Sequence, residues 1–334
     1  MLRIVLLLLF TLSLGGCYYL QAAKGQLELT RKREPITDVL QDENTSPELA
    51  ARLRLVQEAR EFSIDALGLP DNDSYRTYAD IERDYVVWNV FAAPEFSLQP
   101  KTWCFPVAGC VGYRGYFAEE AARKEAARLE EDGFDVLVGG VAAYSTLGKL
   151  KDPVVSSMMQ WDDLQLVAVL FHELAHQVLY VKGDSGFNES FATAVEEFGM
   201  HRWLTARGKH KDIEQYQSSR ALRENLMEIV AAARADLTEL YASAIPAKDM
   251  RRQKRARLES LAVDAVGLLE NAGHDSSRWQ HLKQCATCVD GSVRGPGAGI
   301  PRFTRTLRRS TRVFLCGGES ASGTLTPAVH RPRA

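Results

Sequence analysis

Leu164, Val167, Phe171, Leu174 and Ala175 recur at the three- and four-residue steps of a helix, and His172 and His176 lie inside that run. A segment this apolar must be covered by other elements over most of its girth, so it reads as a core helix and not a surface one. Residues four apart on a helix differ by about 40° in direction, so both imidazoles share one face. Two imidazoles on one rigid element suit a single Zn²⁺ ion. Glu173, beside the first of them, is placed to take a proton from water and not to bind the metal.

A third ligand is available further along. Gly183 to Gly186 reads as a turn, and Phe187-Asn188-Glu189-Ser190-Phe191-Ala192 reads as the start of a second helix, antiparallel to the first. Glu189 then supplies a carboxylate. Two histidines and one carboxylate with a fourth position open are the ligand set of a catalytic zinc site.

The remaining chain has to cover the histidine helix. With 334 residues, 46% apolar and 25% charged, it has material for a sizeable core and roughly two domains. Its net charge of −2 excludes the global basic field that nucleic-acid binding uses. Ser46-Pro47-Glu48 opens a helix with a capping hydroxyl and a proline at its first position, placing Leu49, Leu53, Val56 and Leu67 on one face until Gly68 and Pro70 stop it. Tyr85 to Phe91 reads as a strand, Ala118 to Glu131 as a helix ended by Gly133, and Phe134 to Val141 as a buried strand. From Asp162 to about Leu269 the pattern is helical almost throughout. The expected fold is α+β: a small α/β lobe with a mixed sheet over 46–160, packed against a mostly helical lobe over 161–282.

Both ends of the chain stand apart. Residues 1–16 carry Arg3, an apolar run from Ile4 to Phe10, and Leu14-Gly15-Gly16 before Cys17, the parts of a secretory signal. The apolar run is too short for a comfortable bilayer span. Leu14-Gly15-Gly16-Cys17 resembles the bacterial lipoprotein signal, which implies acylation of Cys17 and a lipid-anchored protein of the cell envelope facing the periplasm. Tyr18 is not aspartate at that position, which by resemblance to known lipoprotein sorting signals implies the outer membrane. A plain signal peptide with an incidental cysteine is the alternative. Residues 17–45 read as the lipidated tether and first helix. In an oxidising compartment Cys104 and Cys110, in a loop rich in turn formers, can close a small disulfide; two buried thiols are the alternative.

From Lys283 to Ala334 nine basic residues face two acidic ones and hydrophobic periodicity is lost. Cys285 and Cys288 lie here without a second pair at ligand spacing, and the six cysteines of the chain are too few for a disulfide scaffold. We read 283–334 as a shifted reading frame. A basic arm touching anionic lipid or glycan is the other reading.

His172-Glu173-Leu174-Ala175-His176 followed by Asn188-Glu189-Ser190-Phe191-Ala192 resembles the gluzincin metallopeptidases, whose aminopeptidase branch has Asn-Glu-Gly-Phe-Ala at that point. The resemblance implies a zincin-like helical lobe with His172, His176 and Glu189 as ligands and Glu173 as general base. Glu196, seven residues after Glu189, matches a common glutamate that orients a ligand from behind, a role Glu197 can also fill. Twelve residues separate His176 from Glu189, fewer than in that branch, so the link between the helices is shorter. The stretches Cys17–Ala22, Leu69–Tyr75, Val87–Ala93 and Ala143–Gly148 resemble the predicted aminopeptidases found as proteobacterial lipoproteins, over residues from about 15 to 280. The Gly-x-Met-x-Asn signature that binds a substrate's free amine does not occur.

The function expected is zinc-dependent hydrolysis of a peptide. Tyr144 is one candidate to stabilise the oxyanion and Tyr180 another. The strand-like Val138 to Thr146 can align the peptide by edge pairing. The expected partners are a peptide substrate and, through the N-terminal lipid, a membrane; nucleic acid is excluded. The rival reading is a non-catalytic zinc-bound envelope lipoprotein acting as a binding or chaperone module. Glu173 speaks against it, because a structural zinc site needs ligands but no base.

Overall fold

The structure, a computed structural model, describes residues 18–105, 109–143, 145–182, 184–276 and Trp279. Cys17, Tyr144, the signal segment and the tail from Lys283 lie outside the described residues.

The fold is α+β, with small sheets set among helices. Residues 18–31 form helix α1, followed by β1 (Arg33–Pro35), α2 (Ile36–Gln41) and α3 (Pro47–Asp65). Ser46 Oγ accepts from the Leu49 amide at 3.2 Å and Pro47 occupies the first turn, so α3 begins where its capping residues require. Strands β2 (Thr77–Ala79), β3 (Val87–Pro94), β4 (Trp103–Phe105), β5 (Gly109–Val111) and β6 (Arg114–Tyr116) precede α4 (Glu119–Glu131), β7 (Phe134–Val141) and β8 (Val154–Val155). After a 3₁₀ turn at Ser156–Gln160 come α5 (Asp163–Val178), α6 (Ser185–Ala206), α7 (His210–Ala242) and α8 (Ala247–Asn271).

The strands divide into three sheets. β2 pairs antiparallel with β1 and parallel with β8, which makes a mixed sheet. β3 lies between β6 and β7 and is antiparallel to both. α4 covers that second sheet with Ala122, Ala126 and Leu129, which pack on Val90, Ala92 and Tyr116. β4 and β5 form a hairpin of their own, with Cys104 directly opposite Cys110 and disulfide-bonded to it.

β3 starts at Val87, not Tyr85: its ladder with β7 begins at the Val87–Val141 pair, where β7 ends. β7 has the expected limits, but it is mostly half-buried and not a buried strand, and the strand-like pattern does not continue to Thr146. Beyond it the Ala142 carbonyl accepts from Ser157 Oγ at 2.6 Å, and Thr146 folds around Asp152, donating its amide at 2.8 Å and its hydroxyl at 2.6 Å.

One core joins most of these elements. It runs from Leu29 and Ile36 through Leu53, Val56 and Tyr78 to α5, and on to Met200 and Leu204 of α6. α5 is its centre: Leu166, Leu170, Phe171 and Leu174 are at most 1% exposed. Burial of such side chains contributes about 1.5–3 kcal/mol each. α7 and α8 form a hairpin with a core of their own, built on Leu226, Val230, Leu261, Ala265, Leu269 and Trp279. Lys254 ties α8 to the second sheet, donating to the Glu95 carbonyl at 2.7 Å and pairing with Asp135 of β7.

Candidate metal centre

α5 is capped by Asp162, whose carboxylate accepts from the Gln165 amide at 2.7 Å. Its apolar residues hold it in the core, so the direction of its remaining side chains is fixed. His172 and His176 stand on one side with ring centroids 4.9 Å apart and planes at 85°. Glu173 and His176 are buried, at 3% and 5% exposed.

The chain then reverses. Asn188 sets the reversal, because its side chain bonds both backbone groups of Val181: the Val181 amide donates to Oδ1 at 2.7 Å, and Nδ2 donates to the Val181 carbonyl at 2.8 Å. Asp184 caps α6 by accepting from the Phe187 amide at 2.9 Å. The helix therefore starts at Ser185, two residues before the expected Phe187. Gly186 lies inside its first turn, while Gly183 is outside the described residues.

Glu189 follows directly on Asn188 and faces both imidazoles. Its Oε2 is 3.3 Å from His172 Nε2 and its Oε1 is 3.6 Å from His176 Nε2. One donor atom from each of the three residues lies within 4.8 Å of the other two, the arrangement expected of a metal-binding group. Zinc bonds of about 2.0–2.2 Å at tetrahedral angles place neighbouring ligand atoms about 3.3–3.6 Å apart. The residues fit the ion. Glu189 is also about half exposed, so the group opens to solvent on that side.

Without a cation, the carboxylates act on His172. Burial disfavours its charged form, but hydrogen bonds to Glu189 and Glu196 outweigh that and raise its pKa to about 9. Surroundings that favour a positive ring are equally suited to a positive ion.

Glu196, 4% exposed, stands behind His172. His172 Nδ1 lies 3.0 Å from Glu196 Oε2, and Tyr216 Oη of α7 donates to Glu196 Oε1 at 3.1 Å. A carboxylate only accepts, so Nδ1 carries a hydrogen toward Glu196, and Nε2, which faces Glu189, is the nitrogen that would hold an ion once its own proton is lost. Glu197 faces another way, to an ion pair with Arg220. Consecutive helical residues point about 100° apart, which is why only one of the two glutamates reaches the histidine.

Three other segments contact α5 or the link that follows it. The Tyr180 ring centroid is 6.4 Å from that of His176, with half of the residue exposed. The disulfide hairpin approaches the α5–α6 link, since a Cβ on Gly109 would lie 3.7 Å from Lys182 Cε. Gln177, next to the second histidine, accepts at Oε1 from Asn72 Nδ2 at 2.7 Å. Gly148 is so close to the same atom that a Cβ there would stand 2.7 Å from it. Buried Arg60 shapes the Asn72 loop by donating to the carbonyls of Pro70 at 2.6 Å, Asn72 at 3.1 Å and Ser74 at 3.1 Å. The Asn72 loop and Gly148, distant in sequence, thus meet at Gln177, the residue after His176 in the chain.

Sequence reasoning brought together His172, His176, Glu189 and Glu196, and it missed Tyr216, Arg60 and Asp152. Arg60 carried a faint signal, a charged residue next to the apolar face of Leu53, Val56 and Ala59. Tyr216 carried none, lying 20 residues from the carboxylate it bonds. A family model described as "Putative aminopeptidase" matches residues 17–287. Neither a curated protein nor a solved structure matches the chain.

Proposed function

The chain belongs to the Putative aminopeptidase family, and on that premise we propose that it is a zinc-dependent peptidase in which His172, His176 and Glu189 hold the ion and Glu173 is the general base. The observation that carries this reading is the spacing of the three donor atoms, at 3.3 and 3.6 Å along two edges. Zinc, when bound, supplies Lewis-acid polarisation of the scissile carbonyl and lowers the pKa of a coordinated water to about 7.

The protein's own side chains do the rest. Glu173 accepts the proton of the attacking water on its carboxylate and returns it to the leaving amine. Its burial keeps that carboxylate away from bulk solvent. Glu196 holds the His172 tautomer. Tyr180 is within reach of the site and is the described candidate for a hydroxyl donor to the oxyanion; Tyr144 is the other. The outer edge of β7 has no strand neighbour among the described residues, and that supports alignment of an extended peptide along it. The signal pattern ending at Cys17 supports an N-terminal lipid and a location in the cell envelope, facing the periplasm from the outer membrane.

Glu173→Gln is the test. The purified full chain and the variant are analysed for metal and assayed on amino-acid arylamides and a mixed peptide library. The expected result is one zinc in each, with turnover lowered by about 10²–10⁴-fold in the variant. Zinc bound stoichiometrically by a wild-type protein that cleaves nothing would overturn the enzyme reading in favour of a binding module.

A further inference from the structure

Tyr216 stands on the second turn of α7, a helix that contributes no ligand, yet its hydroxyl reaches the metal centre. It donates to Glu196 Oε1 at 3.1 Å, while Glu196 Oε2 lies 3.0 Å from His172 Nδ1. A carboxylate this buried stays charged at low cost only where donors meet both of its oxygens. The two bonds also divide the geometry between them. A single bond to His172 leaves the carboxylate able to swing about its own side-chain torsions, whereas a second donor on the other oxygen fixes its plane.

Arg220, one turn further along α7, extends the chain of contacts. It is held by Glu197 and by Glu224, the latter at 2.9 Å, and it interacts with the Tyr216 side chain. A guanidinium against the phenol oxygen polarises the O–H and makes it a better donor. The order is therefore cation, phenol, carboxylate, imidazole, leading from the α7 surface to a ligand nitrogen.

Resting on the zinc reading, we infer that Tyr216 is a positioning residue of the metal centre: it holds Glu196 in the orientation that fixes the tautomer and direction of His172. The contribution of α7 to the site is then electrostatic and geometric, with no contact to the ion.

The test is a double-mutant cycle on zinc affinity, measured by competition with a chromophoric chelator, with thermal melts of the metal-free proteins alongside. Tyr216→Phe removes the hydroxyl and keeps the ring, which packs on the main core. It is expected to weaken zinc binding by about three- to tenfold, and Glu196→Ala, which leaves the hydroxyl nothing to bond at that position, by about 10–100-fold. On the Glu196→Ala background, Tyr216→Phe is expected to cost nothing further, because its effect passes through the carboxylate. A merely structural role predicts the same loss on both backgrounds, with a matching drop in the metal-free melting temperature, and that result would overturn the inference. Wild-type affinity in Tyr216→Phe would overturn it too and leave the metal site standing. Failure of the wild-type protein to bind zinc at all is a different outcome, which removes the zinc reading itself.

Discussion

Asn188→Ala separates the helix-to-helix link from the ligands it serves. The side chain is 1% exposed and makes two hydrogen bonds to one backbone unit, at 2.7 and 2.8 Å. Each such bond contributes about 0.5–1.5 kcal/mol net, for a gross loss of about 1–3 kcal/mol. Alanine in the first turn of α6 returns part of this, up to about 0.7 kcal/mol of helix propensity. The net expectation is a destabilisation of about 1–2 kcal/mol in urea unfolding of the metal-free protein.

Zinc affinity should fall as well, because Glu189 is the next residue and its approach to His172 and His176 depends on where α6 begins. A loss of about tenfold in zinc affinity corresponds to about 1.4 kcal/mol of pre-organisation. Asn188→Asp sharpens the comparison: it keeps the acceptor for the Val181 amide but sets a carboxylate against the Val181 carbonyl. It should therefore destabilise at least as much as alanine. A stability change in Asn188→Ala below about 0.5 kcal/mol, the range of an ordinary surface substitution, together with unchanged zinc affinity, would refute the view that this side chain sets the link.

Three further outcomes are expected. Gly148→Ala should lower stability by about 1–2 kcal/mol, since φ is +75° there and the new Cβ would meet Gln177 Oε1 at 2.7 Å; adding Gln177→Ala should relieve the contact and leave the backbone cost, as urea unfolding would show. Stripping the metal with a chelator should lower the melting temperature, and zinc should restore it, with about 2.7 kcal/mol of stabilisation at a free concentration 100 times Kd; an unmoved transition would refute the ligand assignment. Arg251 donates to Glu95 and holds its carboxyl below the ordinary range, so the pair stabilises the fold above the unfolded-state pKa of about 4.3 and is lost as pH falls through the lower folded value. Urea midpoints of wild type and Glu95→Gln should accordingly differ at neutral pH, by a small amount for so exposed a pair, and converge in acid.

Local pattern carried far in this chain, and its limits have physical causes. The α5 helix, its histidine face, α4 and the long helices after it were legible because each follows a periodicity or a cap that acts within a few residues. Glu189 was legible for a related reason: Asp184 and Asn188 set its place by contacts within the α5–α6 turn. The three-sheet division was not, because β1, β2 and β8 are two or three residues long and exist through pairing with distant partners. The choice of Glu196 over Glu197 needed the rotation of α6 about its axis, which is set by packing on α5. Tyr216 and Arg60 act across loops and helices that no spacing rule connects.

The separation between His176 and Glu189 is short, yet their donor atoms and that of His172 still meet at 3.3 and 3.6 Å along two edges. α5 ends at Val178, two residues after the second histidine, and α6 begins at Ser185, four before the glutamate. His176 and Glu189 therefore ride close to the ends of their helices, and the link between needs only to reverse the chain. The Asn188–Val181 pair and the Asp184 cap accomplish that within the turn itself. Along the link, Leu179, Tyr180 and Val181 are 40–51% exposed, and Gly109 of the disulfide hairpin approaches Lys182. The spacing of the three donor atoms is thus set by two packed helices and not by the length of the link between them.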